Sequence, residues 1–142
     1  MRATCTHVAL HCRDIDASVA FYARYAGLHE VHRRSDGDMT VVWLGESGRQ
    51  EAFVIVLLGM QHADAEDPAP MAHFGYAVAA REDVDAVAEL ALADGCEVMG
   101  PIYAGPIVGY FCMVRDPDRN WVEFSFGQSL GHDIERTAEQ LE

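Results

Sequence analysis

His7, His73 and Glu123 are the residues of this sequence best suited to act together. Two imidazoles and a carboxylate are donors that one divalent metal ion accepts. Each lies in a short apolar segment: HVALH at 7–11, HFGYA at 73–77 and WVEFSF at 121–126. Strand side chains alternate between faces. That parity puts His7, Ala9 and His11 on one face, against Val8 and Leu10. His73, Gly75 and Ala77 oppose Phe74, Tyr76 and Val78, and Trp121, Glu123 and Ser125 oppose Val122, Phe124 and Phe126. One face of each segment is bulky and suits packing under a helix. The other carries small residues with the His or Glu. A carboxylate buried there is costly without a partner, and the small residues leave room for a ligand.

The elements that must position these groups come as an internal repeat. Residues 6–31 and 72–98 each open with a His-led strand and pass through an acidic turn into a helix. Each helix ends at a glycine followed closely by Glu-Val. The histidines are offset by 73 − 7 = 66 and the glycines, Gly27 and Gly95, by 95 − 27 = 68. Asp14 or Asp16 can start the first helix, and Glu82 or Asp83 adds negative charge early in the second. Val19, Tyr22 and Ala26 mark one apolar stripe, with Phe21 and Tyr25 beside it, and Val84, Val87 and Ala91 mark the other. Strands are expected at about 30–34, 39–44 and 51–58, then at 97–100, 107–114 and 120–126. Each unit is thus βαβββ. The fold class is α+β, with two βαβββ repeats forming a curled mixed sheet around a metal or ligand cavity. Repeat one spans about 4–59, repeat two about 72–127, residues 60–71 are a linker and 128–142 an acidic tail. The repeat places Val56 where the second unit has Glu123, since 123 − 67 = 56.

Other side chains admit milder readings. His11 shares the inward face with His7 and suits a hydrogen-bonding or acid–base role beside a metal. Trp43, Tyr103, Tyr110 and Trp121 are candidate substrate-binding aromatics, although strand aromatics more often build cores. Asp14, Asp16, Glu82 and Asp83 read as helix-start residues, and Asp116 and Asp118 as turn residues before Glu123. The glycines between 105 and 109 make a loop with no phosphate-binding pattern.

Composition excludes several partners. Ten arginines, no lysine and 23 acidic residues give a formal charge of −13. Such a surface repels nucleic acid and anionic membranes. No apolar run approaches the ~20 residues of a spanning helix. The N-terminal segment lacks the apolar stretch of a secretion signal, and Cys5, Cys12, Cys96 and Cys112 form no Cys-x-x-Cys pair. A cytoplasmic protein with reduced thiols is expected.

Over residues 4–127 the chain resembles the vicinal oxygen chelate superfamily, which includes glyoxalase I, methylmalonyl-CoA epimerase, extradiol dioxygenases, fosfomycin-modifying thiol transferases and bleomycin-sequestering proteins. The segments HVALHCRDIDASVAFY, AHFGYAV and DPDRNWVEF carry the likeness. The resemblance implies a glyoxalase-like fold and a homodimer, some relatives building each site from two chains. It also implies one divalent metal ion per site, held by His7, His73 and Glu123. Glyoxalase and epimerase relatives usually have a fourth ligand at the position of Val56, which cannot coordinate. Glu51 has the opposite strand parity. Two histidines and one carboxylate form the facial triad of non-haem iron enzymes, so Fe(II) is favoured over Mn(II), Zn(II) or Ni(II). The reading leans to extradiol-dioxygenase-like chemistry on a small oxygen-rich substrate. Met113 stands where dioxygenases usually have tyrosine, Arg119 where they have Gly or Pro, and Ala9 where the fosfomycin branch has threonine. A lyase or isomerase, a thiol transferase and a non-catalytic drug-binding protein are the alternatives.

Overall fold

The computed structural model describes residues 5–49, 52–60 and 72–128. The chain divides into two compact units. Residues 61–71 of the expected linker 60–71, the tail beyond Gln128, and Glu51 lie outside the described residues, whereas Met60 ends the last strand of the first unit.

The first unit runs β1 (His7–Cys12), α1 (Ile15–Ala26), β2 (His29–Asp36), β3 (Met39–Gly45) and β4 (Val54–Met60). Its sheet has the order β1-β4-β3-β2, with β1 and β4 parallel and the other pairs antiparallel. Asp14 caps α1 by accepting a hydrogen bond from the Ala17 amide at 3.0 Å. Gly27 ends the helix at φ +64°, where a side chain would be strained. Helix α1 covers the Val8, Leu10 and Cys12 face of the sheet: Ile15 packs over Gly59, the ladder partner of Cys12. Tyr22, Val42, Leu44 and Leu57 are fully buried in this layer, each large apolar side chain contributing roughly 1.5–3 kcal/mol. The buried residues of α1 are Ser18, Phe21 and Tyr22: Tyr22 and Phe21 lie where the sequence placed them, Val19, Tyr25 and Ala26 are half-buried, and Ser18 is the addition. A buried serine is tolerated there because its hydroxyl has a partner, Asp118, in the turn Pro117–Arg119 that clusters with this unit.

The second unit repeats the order: β5 (His73–Ala77), α2 (Arg81–Ala93), β6 (Val98–Tyr103), a helical turn α3 (Gly105–Val108), β7 (Tyr110–Arg115) and β8 (Trp121–Phe126). Its sheet has the order β5-β8-β7-β6, with β5 and β8 parallel. Asp83 accepts a hydrogen bond from the Ala80 amide at 2.9 Å and so fixes the start of α2. Val84, Ala88 and Ala91 of α2 are buried, with Val114, Val122 and Phe124 in the same core. The Cys112 thiol donates to the Val84 carbonyl at 3.6 Å, which places α2 on the Cys112 face of the sheet. Two strands start later than expected. β4 begins at Val54 and β7 at Tyr110, the latter because α3 takes up residues that read as strand by hydrophobicity alone.

The ladders confirm the internal repeat. Ala9 pairs with Val56 in the first unit as Gly75 pairs with Glu123 in the second. Val56 is therefore the structural counterpart of Glu123.

Candidate metal centre

Glu123 sits in the middle of β8, on the face turned away from α2, and is only 5% exposed. Its neighbours across the sheet are Gly75 on β5 and Met113 on β7. Gly75 creates the space the carboxylate occupies. A Cβ there would stand 3.2 Å from Glu123 Cβ and 3.4 Å from Oε1.

His73 lies two residues before Gly75 on the same face, with its side chain 37% exposed. Its Nε2 is 3.6 Å from Glu123 Oε2. A charge-assisted hydrogen bond is shorter, about 2.7–2.9 Å. Two donors each bonded at about 2.1 Å to one ion stand roughly 3.0–3.4 Å apart. The pair is thus spaced nearer to that of co-ligands than to that of a closed ion pair. The other carboxylate oxygen, Oε1, accepts a hydrogen bond from Gln128 Nε2 at 3.2 Å. Gln128 Oε1 accepts in turn from Ser125 Oγ at 3.5 Å. His73, Gly75, Ala77, Glu123, Ser125 and Gln128 line a cavity of about 300 Å³. The cradle, the spacing and the donor types all fit a divalent ion.

His7 is exposed on the face of β1 turned away from α1, its Nδ1 3.1 Å from Thr6 Oγ1. His11 is exposed on the same face, in register with Leu58. Among the described residues of one chain, no three His, Cys, Asp or Glu side chains cluster closely enough to hold a metal. His73 and Glu123 bring two donors of the expected types together.

The four aromatic candidates occupy different settings. Trp43 is 39% exposed on the His7 face of the first sheet, with the His32 ring 5.0 Å away and the Arg34 guanidinium at 5.9 Å. Trp121 pairs with His73 in the ladder and packs with Phe111 and Met113 under the Arg115 guanidinium, 3.9 Å from its ring. Tyr103 is 60% exposed at the end of β6. Tyr110 lies on the α2 side, where its hydroxyl donates to Asp85 and Arg81 stacks 3.8 Å from its ring. The bond to the Asp85 carboxylate favours the protonated phenol, so its pKa is raised above the ordinary value.

Gln128 is the site residue that sequence reasoning passed over, having assigned it to the acidic tail. The available signal is the glycine before it. Gly127 has φ +73°, a turn that sends the chain back over the Glu123 face at the end of β8.

The model of the Glyoxalase/Bleomycin resistance protein/Dioxygenase superfamily matches residues 4–124. This chain belongs to that superfamily. An uncharacterised protein of Pseudomonas aeruginosa is 42% identical to this superfamily member over 133 residues, covering 92% of this chain and 94% of the other. Among solved structures, the trypanothione-dependent glyoxalase I of Leishmania major superposes with a TM-score of 0.74 at 18% identity, over 98% of this chain and 94% of that one. A variant of the fosfomycin resistance protein FosX from Listeria monocytogenes, in complex with Mn(II) and a dihydroxypropylphosphonic acid, gives a TM-score of 0.73 at 19% identity over all of both chains. At these identities the two structures establish the glyoxalase-like fold of this superfamily member. Among the described residues, no helix is long and apolar enough to cross a membrane.

Proposed function

We propose that this chain is a divalent-metal-dependent enzyme acting on a small oxygen-rich substrate, with His7, His73 and Glu123 as the metal ligands. The observation that carries the reading is the His73–Glu123 pair, 3.6 Å apart at a cavity where Gly75 leaves the carboxylate its space. When bound, the ion supplies Lewis acidity toward adjacent substrate oxygens and, as Fe(II), the means to use O₂. The two imidazoles bind it as neutral donors, and the Glu123 carboxylate offsets part of its charge. Val56, standing where a fourth ligand would, withholds one and leaves coordination positions to the substrate. Gly75 and Ala77 keep the floor beside Glu123 low enough for a small molecule. The three-ligand set favours Fe(II) over Mn(II), Zn(II) or Ni(II), and extradiol-dioxygenase-like chemistry over a lyase or isomerase reaction. A homodimer in the cytoplasm is the assembly and setting we propose.

The test begins with protein stripped of metal by a chelator and titrated anaerobically with each of the four ions by calorimetry. We expect one ion per site, and no binding in His73→Ala or Glu123→Ala. Undiminished binding in both variants would overturn the assignment. Oxygen uptake by the Fe(II) form with a panel of catechols then reads the chemistry. Metal binding without uptake on any catechol would move the assignment to a lyase or isomerase.

A further inference from the structure

We infer that Gln128 is a positioning residue for Glu123: it holds Oε1 so that the carboxylate presents the single oxygen Oε2 to the ion. The inference rests on the metal reading above and concerns how the ligand is aimed. Oε2 is the oxygen that faces His73 Nε2, at 3.6 Å. Oε1 is occupied by the Gln128 amide at 3.2 Å. Ser125 Oγ, on the same face of β8, donates to Gln128 Oε1 at 3.5 Å and so favours the orientation in which the amide nitrogen meets the carboxylate. The chain Ser125–Gln128–Glu123 therefore assigns different work to the two carboxylate oxygens. Partners that orient a ligand in this way typically account for about 10- to 100-fold in metal affinity.

The backbone is built around this arrangement. Gly127 turns the chain at φ +73° directly after β8. Gly109, at φ +79°, lies against the returning segment. A Cβ on Gly109 would meet Phe126 O at 2.4 Å, Gln128 N at 2.8 Å and Gly127 C at 2.8 Å. No side chain fits there unless the segment carrying Gln128 moves. A glycine some twenty residues away thus seats a side chain that the carboxylate needs.

The experiment compares wild-type protein with Gln128→Met, which keeps the side-chain length and removes the amide, and with Gly109→Ala, which shifts the backbone carrying it. Three properties are read: Mn(II) affinity by calorimetry, unfolding temperature of the metal-free protein, and the metal-loaded minus metal-free infrared spectrum of the carboxylates. For Gln128→Met we expect affinity lower by about 10- to 100-fold, with a small fall in the metal-free unfolding temperature because buried Oε1 loses one donor. The carboxylate stretches should move from a one-oxygen to a two-oxygen binding pattern, because Oε1 is released. Gly109→Ala should shift affinity and infrared pattern the same way, at some cost in unfolding temperature. Equal affinity in wild type and Gln128→Met overturns the inference and leaves the metal site standing. Weaker affinity with an unchanged infrared pattern also overturns it, since the loss then has another origin. Absence of Mn(II) binding in the wild type overturns the metal reading and this inference with it.

Discussion

Ser18 and Asp118, a hundred residues apart in sequence, meet through a hydrogen bond of 3.2 Å from the serine hydroxyl to Oδ2. Both are buried. The other carboxylate oxygen of Asp118 accepts from the Arg13 amide at 3.0 Å, and the Arg13 guanidinium stands 3.6 Å away. Within the first unit the turn Pro117–Arg119 is thereby tied to Arg13 and to α1. Asp118→Ala would leave the Ser18 hydroxyl and the Arg13 amide without this acceptor. We expect a loss of about 2–4 kcal/mol, read as a lowered urea midpoint. Ser18→Ala removes one donor and leaves the carboxylate its bond to Arg13, so a loss of about 1–2 kcal/mol is expected. Equal stability of the two variants would show that the serine is the only partner that matters.

Gly75 offers a steric test of the site. Its backbone does not need glycine for conformational reasons, since its φ is not in the left-handed region. What a larger residue meets is Glu123, at 3.2 Å from the added Cβ. Gly75→Ala requires Glu123 to give by a few tenths of an ångström, whereas the branched side chain of Gly75→Val fills the cradle. We expect Mn(II) affinity to fall in the order wild type, Ala, Val, with the valine variant losing measurable binding in calorimetry. Overpacking of this kind costs about 1–3 kcal/mol in folding stability. A valine variant that binds Mn(II) as the wild type does would show that the carboxylate's place is not set by Gly75.

The origins of these two relationships differ in how far sequence carries them. Strand parity and the repeat are local patterns, and they put Glu123, Gly75 and His73 on one face and gave Val56 as the counterpart of Glu123. The ladders bear this out residue by residue. Helix ends were legible for the same reason: Asp14 and Gly27 act within a few residues of themselves. The bond from Ser18 to Asp118 was not legible, because a serine in a helix and an aspartate in a turn carry no mark of their pairing. That bond is also why the buried stripe of α1 includes Ser18. The start of β7 was misplaced because hydrophobicity does not separate a strand from the single helical turn Gly105–Val108. Gln128 follows a glycine and precedes a polar run, so composition assigned it to the tail, whereas its amide returns to the carboxylate by a turn of the backbone.

Cys112 provides a pH test of the second core. Its residue is fully buried, its thiol donates to the Val84 carbonyl, and the carboxylates of Asp85 and Glu123 lie near enough to disfavour a thiolate. Burial first, then those two charges, push its pKa from an ordinary 9.0 to about 11. Below about pH 9 the folded and unfolded chains both keep the proton. Between 9 and 11 only the unfolded chain releases it, so this group lowers stability as pH rises through that window, and its effect levels off above 11. The expected loss is about 2–3 kcal/mol. Urea unfolding at pH 8 and pH 10.5 should show a smaller alkaline loss in Cys112→Ala than in the wild type, although the variant starts from lower stability because of the cavity it creates. At pH 8 a thiol reagent should label the exposed Cys5 in the folded protein and reach Cys112 only after unfolding. Labelling of Cys112 in the native state, at a rate like that of Cys5, would mean that the sheet opens beneath α2 and that the thiol is not held as its contacts indicate.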